Sequence, residues 1–350
     1  MIDLYSMTEA ELSAFLGELG EPRFRAKQIL SWLAVGVPIS EMSNLPKGLR
    51  EKLISATTDT LPKVEKKLVS KIDGTVKYLF LLHDGECVES VLMRYKHGNT
   101  LCISSQVGCR MGCRFCASTI GGRVRDLLPS ELLGQVIAAE RDSGERVSNI
   151  VMMGIGEPLD NYDNVIRFLQ LVNDKNGLNI GYRHISLSTC GVVPGILRLA
   201  KEALPITLSI SLHASDNETR SNLMPVNKKW PIEQLLSACV DYYKATRRRI
   251  SFEYTLIAGK NDTEEGARAL AALLKNAFRG TDAPLHVNLI RVNAVEETGM
   301  KQGSVEGANR FAEILNSLGV VATVRRRLGS DVNAACGQLR RASGGGKNEN

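Results

Sequence analysis

The sequence predicts an α/β protein: an incomplete (β/α)6 barrel preceded by a small helical N-terminal domain and a short β-rich linker. Two observations carry this expectation. Beyond about residue 100, strand-like runs alternate with amphipathic helical stretches, the order that places parallel strands beneath helices. Ahead of that alternation the pattern is helical for some 60 residues and then strand-like with turn signals.

The first element is a helix announced by a capping box, Thr8 with Glu11, before an apolar run. Pro22 stands where a second helix would start, and Pro46 can open a third. These helices define an accessory domain over 1–60. Residues 61–99 form the β-rich linker, with Asp73-Gly74 and Asp84-Gly85 marking turns between runs such as KYLFLL and ESVLMRY. The barrel is expected over 100–340. Its first strand is TLCISSQ, and SNIVMMG, HISLST, ITLSISLH, ISFEYTLI, HVNLIRV and VVATVRR follow. Between them lie helical stretches such as SELLGQVIAAERD, IEQLLSACVDYYKA and EEGARALAALLKNAF. That makes about six βα units, fewer than the eight of a closed barrel. Residues 341–350, ending GGGKNEN, read as a disordered tail.

Side chains alternate faces along a strand. Several of these strands gather polar groups on one face: Cys102, Ser104 and Gln106; Ser186 and Ser188; Ser209, Ser211 and His213; Ser251, Glu253 and Thr255. The opposite face carries Leu101, Ile103, Leu187, Ile210, Phe252 and Tyr254. Closed barrels fill their interior with branched apolar residues. Here the apolar face is expected against the helices and the polar face around a ligand cavity. The competing reading is a set of amphipathic strands with one wet face.

Bulk properties exclude several classes. Of 350 residues, 43% are hydrophobic and 23% charged, which argues against a disordered or fibrous chain. No apolar run approaches membrane length, and the start, MIDLYSMTEAEL, carries acids where a signal peptide carries basic residues. A cytoplasmic protein is expected, and there eight cysteines are ligands or catalysts before they are disulfide partners. A net charge of +6 fits a polyanionic partner.

Cys109, Cys113 and Cys116 place three thiols within eight residues directly after a strand. Thiolates suit zinc or iron–sulfur clusters; structural zinc normally takes four ligands, usually as two pairs, and no second pair follows. Three thiolates would leave one iron of a [4Fe-4S] cluster open. A zinc site completed by a distant residue is the competing reading. Gly154-Ile155-Gly156-Glu157-Pro158 fails as a dinucleotide fingerprint, because Leu159 replaces the third glycine and Pro158 disrupts the turn into a helix. Taken alone, it reads equally as a strand-ending turn.

The C-x3-C-x2-C spacing, with Phe115 before the last cysteine, resembles the radical S-adenosylmethionine superfamily. Together SSQVGCRMGCRFCAST, MMGIGEPL, LSTCG, ISLHA and DVNAACGQL, in that order over about 89–340, resemble its RNA adenine carbon-2 methyltransferases. The resemblance implies one [4Fe-4S] cluster on Cys109, Cys113 and Cys116, and two S-adenosylmethionine molecules per turnover. It places Gly156, Glu157, Ser188, Ser211, Leu212, His213 and Asn293 at the cofactor. Arg291-Val292-Asn293 departs from the family pattern, which often has proline before the last two positions, so Asn293 matches less closely. Cys336 is implied as methyl carrier, Cys102 as the thiol that resolves the protein–RNA adduct, and Glu89 as proton acceptor. For Glu89 a solvated strand carboxylate, and for His213 a satisfied cavity histidine, are the competing readings.

The implied activity is methylation of carbon-2 of adenine 2503 in 23S ribosomal RNA and of adenine 37 in some transfer RNAs. An electron donor such as a flavodoxin system, no membrane partner and a monomer are expected with it. One alternative is the sister group that methylates carbon-8 and confers antibiotic resistance, although ASTIGG after the cysteines looks more like the carbon-2 group. The alternative from another class is a non-catalytic metal-containing RNA-binding protein. Basic clusters at Arg23-Arg25-Lys27, Lys63-Lys66-Lys67, Arg247-Arg248-Arg249, Arg325-Arg326-Arg327 and Arg340-Arg341 could meet RNA phosphates, though each alone reads as a solvated face. Cys87, Cys190 and Cys239 are expected as small packing residues.

Overall fold

A computed structural model describes residues 2–291, 300–326 and 328–332; Asn293, Cys336, Arg327, Arg340 and Arg341 lie outside them. The first helix, α1 (Glu9–Glu18), starts on the expected capping box: the Thr8 hydroxyl accepts from the Glu11 N–H, and the Glu11 carboxylate accepts from the Thr8 N–H at 2.8 Å. α2 (Arg25–Leu33) begins later than expected. The Pro22 carbonyl closes a turn by accepting from the Arg25 N–H, so the proline opens the approach to the helix and not the helix itself. α3 (Lys47–Ala56) starts immediately after Pro46, as expected. Leu12, Leu16, Ile29, Leu49 and Leu53 from these helices are buried in one core with the barrel's own residues.

β1 (Lys63–Val69), β2 (Val76–Leu81), β3 (Cys87–Tyr95) and β4 (Gly98–Cys102) form an antiparallel meander. Both expected Asp–Gly turns are present, with Gly74 and Gly85 at φ +72° and +86°, where a side chain would be strained. A hairpin that the sequence pattern did not announce follows: β5 (Gln106–Gly108) pairs with β6 (Arg123–Asp126) and brackets the three-cysteine loop.

The alternating region then runs α4 (Pro129–Ser143), β7 (Val147–Met152), α5 (Tyr162–Val172), β8 (Ile185–Thr189), α6 (Val193–Glu202), β9 (Thr207–Ser211), α7 (Asn217–Leu223), α8 (Ile232–Thr246), β10 (Ile250–Leu256), α9 (Glu264–Ala277), β11 (His286–Arg291), α10 (Val305–Ser317) and β12 (Val321–Val324). The sheet order is β1-β2-β3-β4-β7-β8-β9-β10-β11-β12, and every neighbouring pair from β4 to β12 is parallel. The six crossovers joining these strands are the six expected βα units. β1 and β12 stand at opposite edges of the sheet, so the barrel is incomplete. Leu101, Ile103, Leu187, Ile210, Phe252 and Tyr254 are fully buried in the main core, as the alternation requires. Among the described residues no helix is long and apolar enough to cross a membrane.

Side chains and backbone span the gap that strand pairing leaves. The chain leaving β12 crosses to the other half of the sheet, where Leu328 packs on Val91, Met93 and Cys102. Beyond it the Gly329 N–H donates to Asp73 at 2.9 Å, and the Asp331 carboxylate accepts from the Ser70 hydroxyl at 2.7 Å and the Lys71 N–H at 2.8 Å. The turn between β1 and β2 therefore holds the segment that follows β12.

Candidate active site

The cysteine loop leaves the β5–β6 hairpin through a pinched neck. Gly108 has φ +76°, and a Cβ there would stand 2.0 Å from the Gly122 carbonyl, so only glycine fits. The loop is held by main-chain bonds from Cys109 N–H to the Gly122 carbonyl and from Arg114 N–H to the Leu223 carbonyl, and by the Thr119 hydroxyl on the Cys116 carbonyl. Cys109 and Cys113 are buried and Cys116 half-buried. All three line one cavity of about 220 Å³ with Gly154, Gly156, Glu157, Ser188, Ser211 and His213.

This donor set fits an iron–sulfur cluster. Three thiols, which are soft donors, face the same cavity. Three thiolates can ligate three irons of a four-iron cluster, whereas structural zinc normally takes four protein ligands. Burial pushes the Cys109 thiol up to about 12, with Glu157 and Cys116 adding to it, and raises Cys113 as well. Metal ligation has to displace these protons.

The glycine-rich segment lies against residues 103–106. The Ile155 carbonyl accepts from the Ser105 and Gln106 N–H groups, the Ser104 hydroxyl accepts from the Ile155 N–H at 3.0 Å, and Gln106 accepts from the Glu157 N–H at 2.9 Å. A Cβ on Gly154 would meet the Ile103 carbonyl at 2.6 Å, and one on Gly156, at φ +107°, the Gln106 nitrogen at 2.6 Å. Ser104 and Gln106, expected on the cavity lining, are instead engaged in holding this segment. Gly156→Ala is expected to destabilise the fold by about 1–3 kcal/mol through overpacking and strain, seen as a lower urea midpoint. The Glu157 carboxylate is buried and accepts from the Leu159 and Cys190 N–H groups at 3.0 and 2.7 Å, while burial pushes its carboxyl above the ordinary range.

Strand ends supply the rest of the lining. Leu212 and His213 both donate main-chain N–H groups to the Glu253 carbonyl, which sets His213 in the left-handed region at φ +57°. Its Nδ1 accepts from the Thr255 N–H at 2.9 Å, so Nε2 carries the hydrogen. Burial, with Arg220 adding to it, lowers the His213 pKa to about 3, so the ring is neutral. Phe115 from the cysteine loop meets the ring edge-on at 4.8 Å. His213 is thus a satisfied histidine that also lines the cavity. The Leu212 side chain is fully buried in the core, and its carbonyl accepts from Arg220.

Glu253 and Arg325 also line this cavity and were not among the expected site residues. Glu253 is buried, accepts from Ser251 and from Asn288 at 3.2 and 2.9 Å, and has its carboxyl pushed up by burial against the opposing effect of Arg325. The polar strand face already pointed to Glu253. Arg325 was grouped with a basic surface cluster, yet it reaches the Met153 sulfur at 3.7 Å inside the barrel. Other basic residues have acidic partners: Lys27 with Glu9, Lys67 with Asp142 and Arg247 with Asp282.

Cys102 and Glu89 lie on the same interior face, beside the cavity. The polar neighbours of Cys102 suggested an accessible thiol. It is instead 6% exposed, because β3 and β4 pair it with Val91 and the side chains of Met93, Met153 and Leu328 cover it. Glu89 is 3% exposed, which removes the solvated-carboxylate reading. Met153 joins the regions, since it lines the cavity and packs in the Cys102 cluster. Cys87, Cys190 and Cys239 are buried, as expected of packing residues. A larger cavity of about 720 Å³ between the helical domain and α4 contains none of the expected site residues.

Comparison with known proteins matches residues 103–271 to the radical SAM superfamily and residues 2–58 to a domain described as the ribosomal RNA large subunit methyltransferase N-terminal domain. A curated relative from Alkaliphilus oremlandii, called probable dual-specificity RNA methyltransferase RlmN, is 53% identical over 97% of this chain and 98% of its own. A relative of the same name from Clostridium botulinum strain Eklund 17B is 52% identical over 98% and 97%. The crystal structure of a radical SAM methyltransferase from Sphaerobacter thermophilus superposes with a TM-score of 0.90 at 42% identity, covering 97% of this chain and 99% of that one.

Proposed function

The chain belongs to the RlmN family of dual-specificity RNA methyltransferases, and from that premise we propose that it methylates carbon-2 of adenine 2503 in 23S ribosomal RNA and of adenine 37 in some transfer RNAs. Cys109, Cys113 and Cys116 would hold a [4Fe-4S] cluster, and Gly156, Glu157, Ser188, Ser211, Leu212, His213 and Asn293 would hold S-adenosylmethionine. When bound, the cluster would supply one-electron reducing power to the cofactor, and with it carbon-radical chemistry.

The chain's own residues carry the methyl group. Cys336 displaces it from one cofactor molecule as a thiolate nucleophile. The S-methyl group of Cys336 would give a hydrogen atom to the carbon radical drawn from a second cofactor molecule; the methylene radical left on sulfur adds to carbon-2, and the adduct returns one electron to the redox centre that supplied it. Glu89 accepts the carbon-2 proton. Cys102 then attacks the Cys336 sulfur. A disulfide forms, the carbon–sulfur bond breaks, and the departing methylene takes its electron pair and a proton to become the new methyl group. Radical chemistry is required because carbon-2 of adenine is electron-poor and resists polar alkylation.

The observation that carries this assignment is one interior surface. Three thiols, the glycine-rich segment and the strand-end residues Ser188, Ser211 and His213 share a cavity, and Met153 joins it to the face that bears Cys102 and Glu89. The helical domain over 1–60 is assigned to RNA binding, with the linker over 61–99 and the barrel over 100–340. The enzyme acts in the cytoplasm as a monomer, reduced by a flavodoxin-type donor.

Anaerobic reconstitution followed by assay on an RNA fragment tests the proposal. About four irons and four sulfides per chain are expected, as a [4Fe-4S] centre requires, with the RNA gaining a methyl group at carbon-2. A variant with Cys109, Cys113 and Cys116 all changed to Ser is expected to lose the iron and the activity together. Zinc without sulfide, or methylation at carbon-8 alone, would overturn it.

A further inference from the structure

Lys77 and Glu89 form an ion pair inside the barrel. The ammonium lies 3.2 Å from the carboxylate, and the two side chains are only 1% and 2% exposed. β2 and β3 align Lys77 with Val91 and Leu79 with Glu89, so the pair is diagonal on one face of the sheet. That face also carries Val91, Met93 and Cys102. The main chain of Glu89 is fixed too, because its carbonyl accepts from the Ser104 hydroxyl at 2.6 Å, the same hydroxyl that accepts from the glycine-rich segment.

Such a pair is a poor device for stability. Removing an ammonium and a carboxylate from water costs several kcal/mol each, and apolar side chains of similar size are often as stable or more so. Two charges kept inside the barrel, on the face that bears a thiol, suit a task that needs a carboxylate there. A carboxylate that accepts a proton from a bound base needs a fixed direction and a counter-charge that stays with it. Lys77 supplies both from the neighbouring strand.

We propose that Lys77 is a positioning residue for Glu89: it orients and charge-balances the carboxylate that takes the carbon-2 proton, and so governs how fast the protein–RNA adduct is resolved. This rests on the role assigned to Glu89 above. In the step concerned, the carbon-2–hydrogen bond breaks, the proton passes to a Glu89 oxygen and the electron pair stays on the adenine ring. Resolution by Cys102 follows as already described.

The test is a single turnover of the reconstituted holoenzyme with an RNA fragment, with covalent adduct and methylated product separated on a denaturing gel. Glu89→Gln comes first and is expected to accumulate adduct; if it resolves adduct like wild type, the role of Glu89 falls and this proposal with it. Lys77→Met is then expected to slow adduct resolution about tenfold or more, part of the roughly 10²–10⁴-fold that proton transfer by a positioned side chain contributes. Its iron, sulfide and S-methylcysteine contents should match wild type, which a general loss of structure would not preserve. Lys77→Arg, which keeps the charge, should restore resolution towards wild type. A folded Lys77→Met that resolves adduct at the wild-type rate, while Glu89→Gln accumulates it, overturns the proposal. If Lys77→Met fails to load its cluster, Lys77→Leu replaces it, removing charge and donor alike, and wild-type resolution by that variant is equally decisive against the proposal.

Discussion

Cys336→Ala is expected to abolish RNA methylation, with a loss on the order of 10⁴-fold or more, as when a covalent nucleophile is removed. Iron and sulfide should stay at wild-type levels, because the cysteines assigned to the cluster are Cys109, Cys113 and Cys116. Mass spectrometry of the wild-type protein should find S-methylcysteine at position 336. Cys102→Ala should act later: the methyl carrier loads, the RNA is attacked, and the protein remains covalently joined to it. A Cys336→Ala protein that keeps the whole biological effect, with no S-methylcysteine found in the wild type, would point instead to a non-catalytic metal protein that binds RNA.

Arg220→Met is expected to cost about 3 kcal/mol or more of stability, because it leaves several buried acceptors unpaired at once. Arg220 is fully buried and makes no ion pair with a carboxylate among its described contacts. It donates instead to the carbonyls of Leu212, Ser211 and Cys190 and to the side chain of Asn227. Methionine fills most of the volume and satisfies none of these acceptors, each of which costs about 1–3 kcal/mol when left unpaired. The loss is measurable as a reduced midpoint in urea. Since Cys190 closes on Glu157 and Ser211 lines the cavity, the same variant should bind S-adenosylmethionine more weakly.

Much of this molecule is legible in its sequence because two periodicities do most of the building. The alternation that puts Ser186 and Ser188 on one face and Leu187 on the other is visible without coordinates, and so is the order of strands and helices. The capping box at Thr8 and the Asp–Gly turns are local enough for the chain to specify alone. What stayed hidden depends on distant partners. Ser104 looks like a cavity residue until residues 154–157 arrive across the sheet and occupy its hydroxyl. Cys102 looks accessible until Leu328, more than two hundred positions later, comes to rest on it. Arg325 belongs to a basic triplet in one dimension and to a barrel interior in three. The ion pair of Lys77 with Glu89 is equally non-local, since nothing in VKYLFL indicates that its lysine turns inward. Asn293 and Cys336 rest on the family resemblance.

The gap between β1 and β12 has a mechanical consequence. From β1 to β12 the wall is a continuous hydrogen-bonded ladder, but across the remaining arc, among the described residues, it depends on Gly329 and Asp331 meeting the turn at Ser70–Asp73 and on Leu328 packing against Val91, Met93 and Cys102. Individual contacts of this kind contribute only about 0.5–1.5 kcal/mol net each, far less than separating two paired strands would cost. Any breathing of the wall is therefore concentrated along this single line. It runs beside Leu328, which covers Cys102, so opening the wall there would uncover that thiol.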